Sequence, residues 1–213
     1  VAALPETEFQ EVLSGKPVGS VVRKARRAKK LKRAVAAVRG LPKPTEVAGG
    51  PWGVIVADPP WRYDNRAEDE THRAALPYPS MGLDEIRALA LPPLADDAIL
   101  WLWTTNAHME HAFGVARAWG FEPRTILTWV KDKMGTGDWL RGQTEHCLLC
   151  IKGRPVVTLT NQTTVLRGPL RAHSEKPDEF FALVEALCPD ARRIEMFARK
   201  ARTGWACWGD TGK

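Results

Sequence analysis

Trp52-Gly-Val-Ile-Val-Ala57 runs without a spacer into Asp58-Pro-Pro-Trp61. A short, nearly continuous apolar run rich in β-branched residues is the pattern of a strand covered on both faces, as in the interior of a parallel sheet. Two consecutive prolines cannot extend such a strand, because neither supplies a ladder N–H, so the chain must turn out of the sheet at Asp58. A carboxylate and an indole are thereby set on a rigid turn at a strand's carboxyl end. That edge is where open α/β sheets place their ligands.

Outward from this stretch the same texture repeats. Ala98-Ile-Leu-Trp-Leu-Trp103, Thr125-Ile-Leu-Thr-Trp-Val130, His146-Cys-Leu-Leu-Cys-Ile151 and Arg193-Ile-Glu-Met-Phe197 are predicted strands. Between them, Ala107 to Trp119, closed by Gly120, is a predicted helix. A second is predicted from Pro177 to Leu187, with Pro177 at its first position and Asp178 and Glu179 in its first turn. The alternation predicts an α/β domain: a mostly parallel twisted sheet with helices on both faces. At 213 residues the chain suits one such domain, expected over 46–213. Cys147 and Cys150, three apart on a strand, would point to opposite faces and so share no metal. His72, His108, His111 and His173 have no metal spacing on a common element, and no metal is expected.

Residues 1–45 read differently. Ala, Lys, Arg and Leu dominate Val21 to Val38 before Gly40, Pro42 and Pro44 break the pattern, which predicts a helical arm without a core of its own. Eight Lys and Arg residues fall between Arg23 and Arg33 with no acid among them, and setting them aside turns the formal charge of +6 into −2. Such a run is either a phosphate-binding element or a solvated helix face. No apolar run approaches the roughly 20 residues of a membrane-spanning helix, and the amino terminus has no signal-peptide core. A soluble, cytoplasmic protein without a membrane partner is expected; oligomeric state is not legible.

The turn at Asp58 suits an aromatic amine. The amine's two N–H groups can donate to Asp58 and to a carbonyl of Pro59 or Pro60 while Trp61 stacks on the ring. Accepting both hydrogens turns the nitrogen lone pair toward an electrophile. In a purely structural role, Asp58 would be a turn carboxylate and Trp61 a core aromatic.

Further stretches follow in order: Leu76-Pro-Tyr78, Leu102-Trp103, Thr128-Trp-Val-Lys131, Glu145-His-Cys147, Lys152-Gly153 and Lys176-Pro-Asp-Glu179, then Arg193 to Phe197. With Ala57-Asp-Pro-Pro-Trp61 this set resembles the N6-adenine methyltransferases named after the seventy-kilodalton subunit of the messenger-RNA adenosine methyltransferase, over roughly Pro51 to Asp210. The resemblance implies a Rossmann-like methyltransferase fold with permuted motif order, so no Gly-x-Gly-x-x-Gly is expected. It implies S-adenosylmethionine as methyl donor and N6 of adenine in nucleic acid as acceptor. Asp58, Pro59, Pro60 and Trp61 would carry catalysis, with Asp58 also near the donor. Lys176 would reach the donor's carboxylate, Glu195 its ribose, with Phe197, Arg199 and Asp210 beside it. Trp61, Tyr78, Lys131 and Glu145 would meet the substrate. Asp210 stands where relatives often have an amide, and Ala201 where they can place a polar contact. On the residues alone Lys176 could equally be an exposed helix-start lysine, Glu195 a solvent-facing acid on an edge strand, and Tyr78 a packing residue. Cytosine N4 methylation and a catalytically inert binding subunit are the competing functions. The Ala- and Arg-rich composition suggests a bacterial or phage protein, for which DNA is expected ahead of RNA.

Overall fold

The structure, a computed structural model, describes residues 10, 12–15, 17–22, 41–61, 80–135, 139–159, 161–170 and 175–211. The strand leading into the double proline is β1 (Trp52–Ala57), buried at five of its six residues. It pairs in parallel with β2 (Leu94–Thr104) on one side and β6 (Arg193–Met196) on the other. Beyond β2 lie β4 (Thr144–Lys152), β3 (Glu122–Lys131) and β5 (Val165–Gly168), and beyond β6 lies β7 (Ala206–Trp208). The sheet order is β5-β3-β4-β2-β1-β6-β7, and β4 alone runs against its neighbours.

The strand pleat sorts side chains onto two cores. On one face Ile55, Ala57, Leu100, Leu148 and Ile194 pack with Ile86 of α1 (Leu83–Arg87) and Ala112 and Val115 of α2 (Met109–Ala118). On the other, Val54, Val56, Trp101, Trp103 and Trp129 pack with Phe180, Phe181 and Val184 of α3 (Asp178–Leu187). Helices therefore cover both faces, as alternation in the sequence predicts. Cys147 falls in the second core and Cys150 in the first, on opposite sides of β4.

The differences from expectation lie at short elements. β5, β7 and α1, of four, three and five residues, carry too few positions to show a period. Pro177 is the N-cap of α3 and not its first helical residue, its backbone still extended at φ −67°, ψ 146°.

Arg23 to Gly40, which includes the basic run, lies outside the described residues, as does Tyr78. Just past it, the chain is tied to the domain: Leu41 and Val47 pack on the α2-side core, and the indole of Trp208 donates to the Pro42 carbonyl at 2.7 Å. The fold's functional consequence is convergence. The carboxyl ends of β1, β2, β3, β5 and β6 share one edge of the sheet, and antiparallel β4 begins there, so residues far apart in sequence meet beside Asp58.

Candidate active site

Asp58 and Trp61, on either side of the double proline, illustrate how it works. The Trp61 N–H donates to the Pro59 carbonyl at 2.8 Å, a three-residue turn centred on Pro60, and the Met81 N–H donates to the Pro60 carbonyl at 2.8 Å. Both proline carbonyls thus accept one backbone hydrogen bond, and each retains a second lone pair. Asp58 continues the pleat of Val54 and Val56 toward the α3 face. Trp61 has crossed to the other face, where it is 6% exposed, packs in the α2-side core, donates from its indole to the Trp103 carbonyl at 3.1 Å and stacks on His108 at 5.5 Å. The ring braces the turn from beneath, with one face against His108.

On the α3 face four charged groups alternate. Lys176 Nζ donates to Asp58 Oδ2 at 2.7 Å and lies 3.2 Å from Glu145 Oε2, while Lys131 Nζ donates to Glu145 Oε1 at 2.6 Å. Lys176 comes from the residue before the Pro177 cap, Lys131 from the end of β3, Glu145 from the start of β4. Lys176 is 7% exposed, with its ammonium 5.2 Å from the centre of the Trp103 ring. It is therefore a buried, paired cation and not an exposed helix-start lysine.

Electrostatics follows from this burial. Desolvation raises the Asp58 carboxyl above its usual value, Lys176 pulls it back, and the negative charge of Glu145 adds to the rise. For Lys176, burial opposes the cation, but Asp58 and Glu145 more than reverse that and raise it above the ordinary lysine value. Burial works likewise against the Glu145 carboxylate, and its two lysines outweigh it, leaving it lowered. The two carboxylates thus favour the protonated form of Lys176.

Glu195 lies on β6, between β1 and β7, so it is an interior-strand acid and not a solvent-facing one on an edge. Its register partners Val56 and Cys207 set it on the α3 face. Burial first, with Asp58 adding to it, pushes its carboxyl up to about 7 against the pull of Arg202, Lys176 and Lys200. The strand is followed by Phe197, the one described non-glycine residue with positive φ, at 62°. That conformation is costly for an aromatic residue and is held by its surroundings. The Phe197 ring packs edge-on against Trp208 at 5.2 Å, and the Ala198 N–H donates to the Trp208 carbonyl at 3.0 Å. Arg199, exposed, acts electrostatically on Asp58, and Asp210 is exposed on the segment after β7.

Sequence reasoning set His146 beside Glu145 at a strand start but did not find the polar cluster at the end of β2 that His146 joins. His146 lies 3.2 Å from the Thr128 hydroxyl through Nδ1 and 2.5 Å from Asn106 Oδ1 through Nε2, and burial lowers its pKa. Thr105 approaches His108 Nδ1 at 3.3 Å. Thr104-Thr-Asn106, between a Trp-rich strand and a helix start, was the available signal. No three His, Cys, Asp or Glu residues among those described form a group suited to a metal, and none of the described helices is long and apolar enough to cross a membrane.

The sequence model of the MT-A70 family matches residues 52–211. The chain is 37% identical over 171 residues to the N(6)-adenosine-methyltransferase MT-A70-like of Arabidopsis thaliana, covering 76% of this chain and 24% of the plant protein. It is 34% identical over 172 residues to the N(6)-adenosine-methyltransferase catalytic subunit METTL3 of Homo sapiens, covering 76% and 28%. It is 32% identical over 176 residues to the Type II methyltransferase M.MunI of a Mycoplasma species, covering 73% of this chain and 76% of that one. The chain spans about a quarter of the length of the plant and human relatives.

Proposed function

Since the chain belongs to the MT-A70 family, we propose that it transfers a methyl group to the N6 amino group of adenine in nucleic acid, with DNA ahead of RNA. The observation that carries this reading is the Asp58-Pro59-Pro60 turn at the carboxyl end of β1, which presents a carboxylate and two carbonyl acceptors beside the Lys176–Glu145 pair.

MT-A70 methyltransferases use S-adenosylmethionine, which supplies an electrophilic methyl on a sulfonium centre. The residues at the edge fit such a donor chemically. Lys176 is a buried cation suited to a carboxylate. Glu195 is a half-buried acid suited to a ribose diol, and the Phe197 turn with Arg199 and Asp210 closes that side. Asp58 and a proline carbonyl accept the two amine hydrogens and aim the nitrogen lone pair. A neutral aromatic amine is a weak nucleophile, so orientation must supply much of the acceleration, and well-oriented encounters are worth roughly 7–11 kcal/mol. The Asp58 carboxylate also stabilises positive charge growing on the nitrogen. Trp61 acts in this scheme as the brace of the turn, holding Pro59 and Pro60 through the Trp103 carbonyl. Glu145 and Lys131 border the acceptor side. The target base must be unstacked from a duplex or presented on a single strand.

The test is methyl transfer to matched single- and double-stranded DNA and RNA oligonucleotides, with the modified nucleoside identified by mass spectrometry. N6-methyladenine is expected, most of it in DNA. Asp58→Ala should keep the fold and lower turnover by roughly a hundredfold or more. N4-methylcytosine as the product, or turnover near wild type in Asp58→Ala, would overturn the assignment.

A further inference from the structure

Resting on the reading of Asp58 as the amine acceptor, we propose that Lys176 fills the amine's place until the donor is bound, and that Glu145 is the positioning residue that lets it leave. Recognition of the adenine amine is thereby coupled to the presence of the donor's carboxylate.

The geometry carries this in three steps. Lys176 donates to Asp58 Oδ2 at 2.7 Å, the distance at which an amine N–H would have to bond to the same oxygen. An ammonium held by a carboxylate makes a charge-assisted hydrogen bond about twice as strong as a neutral amine can offer. A base alone therefore cannot displace it. A cation left there would also oppose the positive charge that develops on the attacking nitrogen, so Lys176 must turn aside before reaction.

Leaving as a neutral amine is closed to it, because two carboxylates hold its proton. It must move as a cation, and the surroundings provide for that. Glu145 Oε2 stands 3.2 Å away as a second anchor, and Glu145 is itself kept in place by Lys131 on its other oxygen. The face of Trp103 lies under the ammonium. Turning from Asp58 toward a donor carboxylate, Lys176 keeps Glu145 as a partner throughout and is at no point a bare buried charge, which would cost several kcal/mol.

Equilibrium binding of two oligonucleotides tests the coupling: one methylated by the wild type, and its twin with purine, which lacks the amine, at the target position. Each is measured alone, with S-adenosylhomocysteine, and with methylthioadenosine, which has no carboxylate. In the wild type, adenine and purine should bind alike without ligand. S-adenosylhomocysteine should create an adenine preference of about tenfold, the worth of one strong hydrogen bond, and methylthioadenosine should not. Lys176→Gln should prefer adenine with no ligand present. Glu145→Gln strands the ammonium on Asp58, so it should lose most of the ligand-induced preference and raise KM more than it lowers kcat, with Glu145→Asp recovering part of both.

An adenine preference in the wild type that is the same with and without S-adenosylhomocysteine overturns the proposal, as does one induced equally by methylthioadenosine. If no oligonucleotide is methylated at adenine, the reading of the function fails. The inference about Lys176 then stands or falls on a separate comparison of the two small molecules. The wild type should bind S-adenosylhomocysteine about tenfold more tightly than methylthioadenosine, and Lys176→Gln should abolish the difference. A difference that survives the substitution removes Lys176 from the carboxylate.

Discussion

Replacing Glu195 with glutamine makes the burial of that carboxyl measurable. Its ordinary value of 4.5 is lifted to about 7 in the fold, chiefly by desolvation in an interior strand. Because the folded value lies above the unfolded one, the associated stability is present in full below pH about 4.5 and is lost as pH rises through about 7. The full rise corresponds to about 3 kcal/mol. Glu195 is only partly buried, and solvent screening reduces the expectation to about 1–2 kcal/mol. Glutamine cannot ionise, so the stability of Glu195→Gln relative to wild type should climb by that amount between pH 4.5 and 8. Urea unfolding at half-unit pH steps, with m held common to both proteins, reads it directly. A stability difference that stays flat across this range would mean that the carboxylate is well solvated, and the assignment of Glu195 to an enclosed ribose site would go with it. At pH 8 the same variant, although more stable relative to wild type than at pH 4.5, should bind S-adenosylhomocysteine more weakly, because an amide replaces the ionised acceptor of the ribose hydroxyls.

Trp61→Phe deletes the indole donor to the Trp103 carbonyl, so thermal or urea unfolding should show a loss of about 1 kcal/mol, against about 3–5 kcal/mol for Trp61→Ala; an unperturbed Trp61→Phe would mean that the brace carries no load. Gly209→Ala would drive a methyl group into the backbone of Phe197 and Ala198, so it should lower stability and weaken S-adenosylhomocysteine binding together, and calorimetry that shows neither effect removes the Phe197 turn from the donor side. Deleting residues 1–35, with their basic run, should weaken nucleic-acid binding and flatten the log–log salt dependence by roughly 0.7–0.9 for each phosphate that the arm neutralises in the intact protein. Methylated-base identity should be unchanged; an unaltered salt slope with a lowered Tm would assign the arm to packing instead.

The α/β class, the strands around Asp58 and the two longer helices were legible in the sequence because each rests on local physics. Continuous apolar runs mark strands buried on both faces, Asp58-Pro-Pro-Trp61 forces the exit from the sheet, and a three-residue spacing separates Cys147 from Cys150. The ordered motifs likewise put forward Asp58, Lys131, Glu145, Lys176 and Glu195, of which the structure joins the first four in one chain of ion pairs. What no local pattern holds is which atoms meet. Lys176 reaches Asp58 across 118 positions of sequence, because the α3 cap and the end of β1 meet at one carboxyl edge, where antiparallel β4 starts and brings Glu145 to the same pair. The same tertiary arrangement buries Trp61 on the α2 face, since the double-proline turn carries the chain over the sheet's edge, from the α3 face to the α2 face. It also made Glu195 an interior acid, since β7, three residues long and without a period of its own, covers the flank of β6. Side-chain identity and spacing determined the chemistry available at this edge; the order of strands in the sheet decided which charges desolvate one another there, because desolvation and Coulomb energy depend on distance in space and not on distance along the chain.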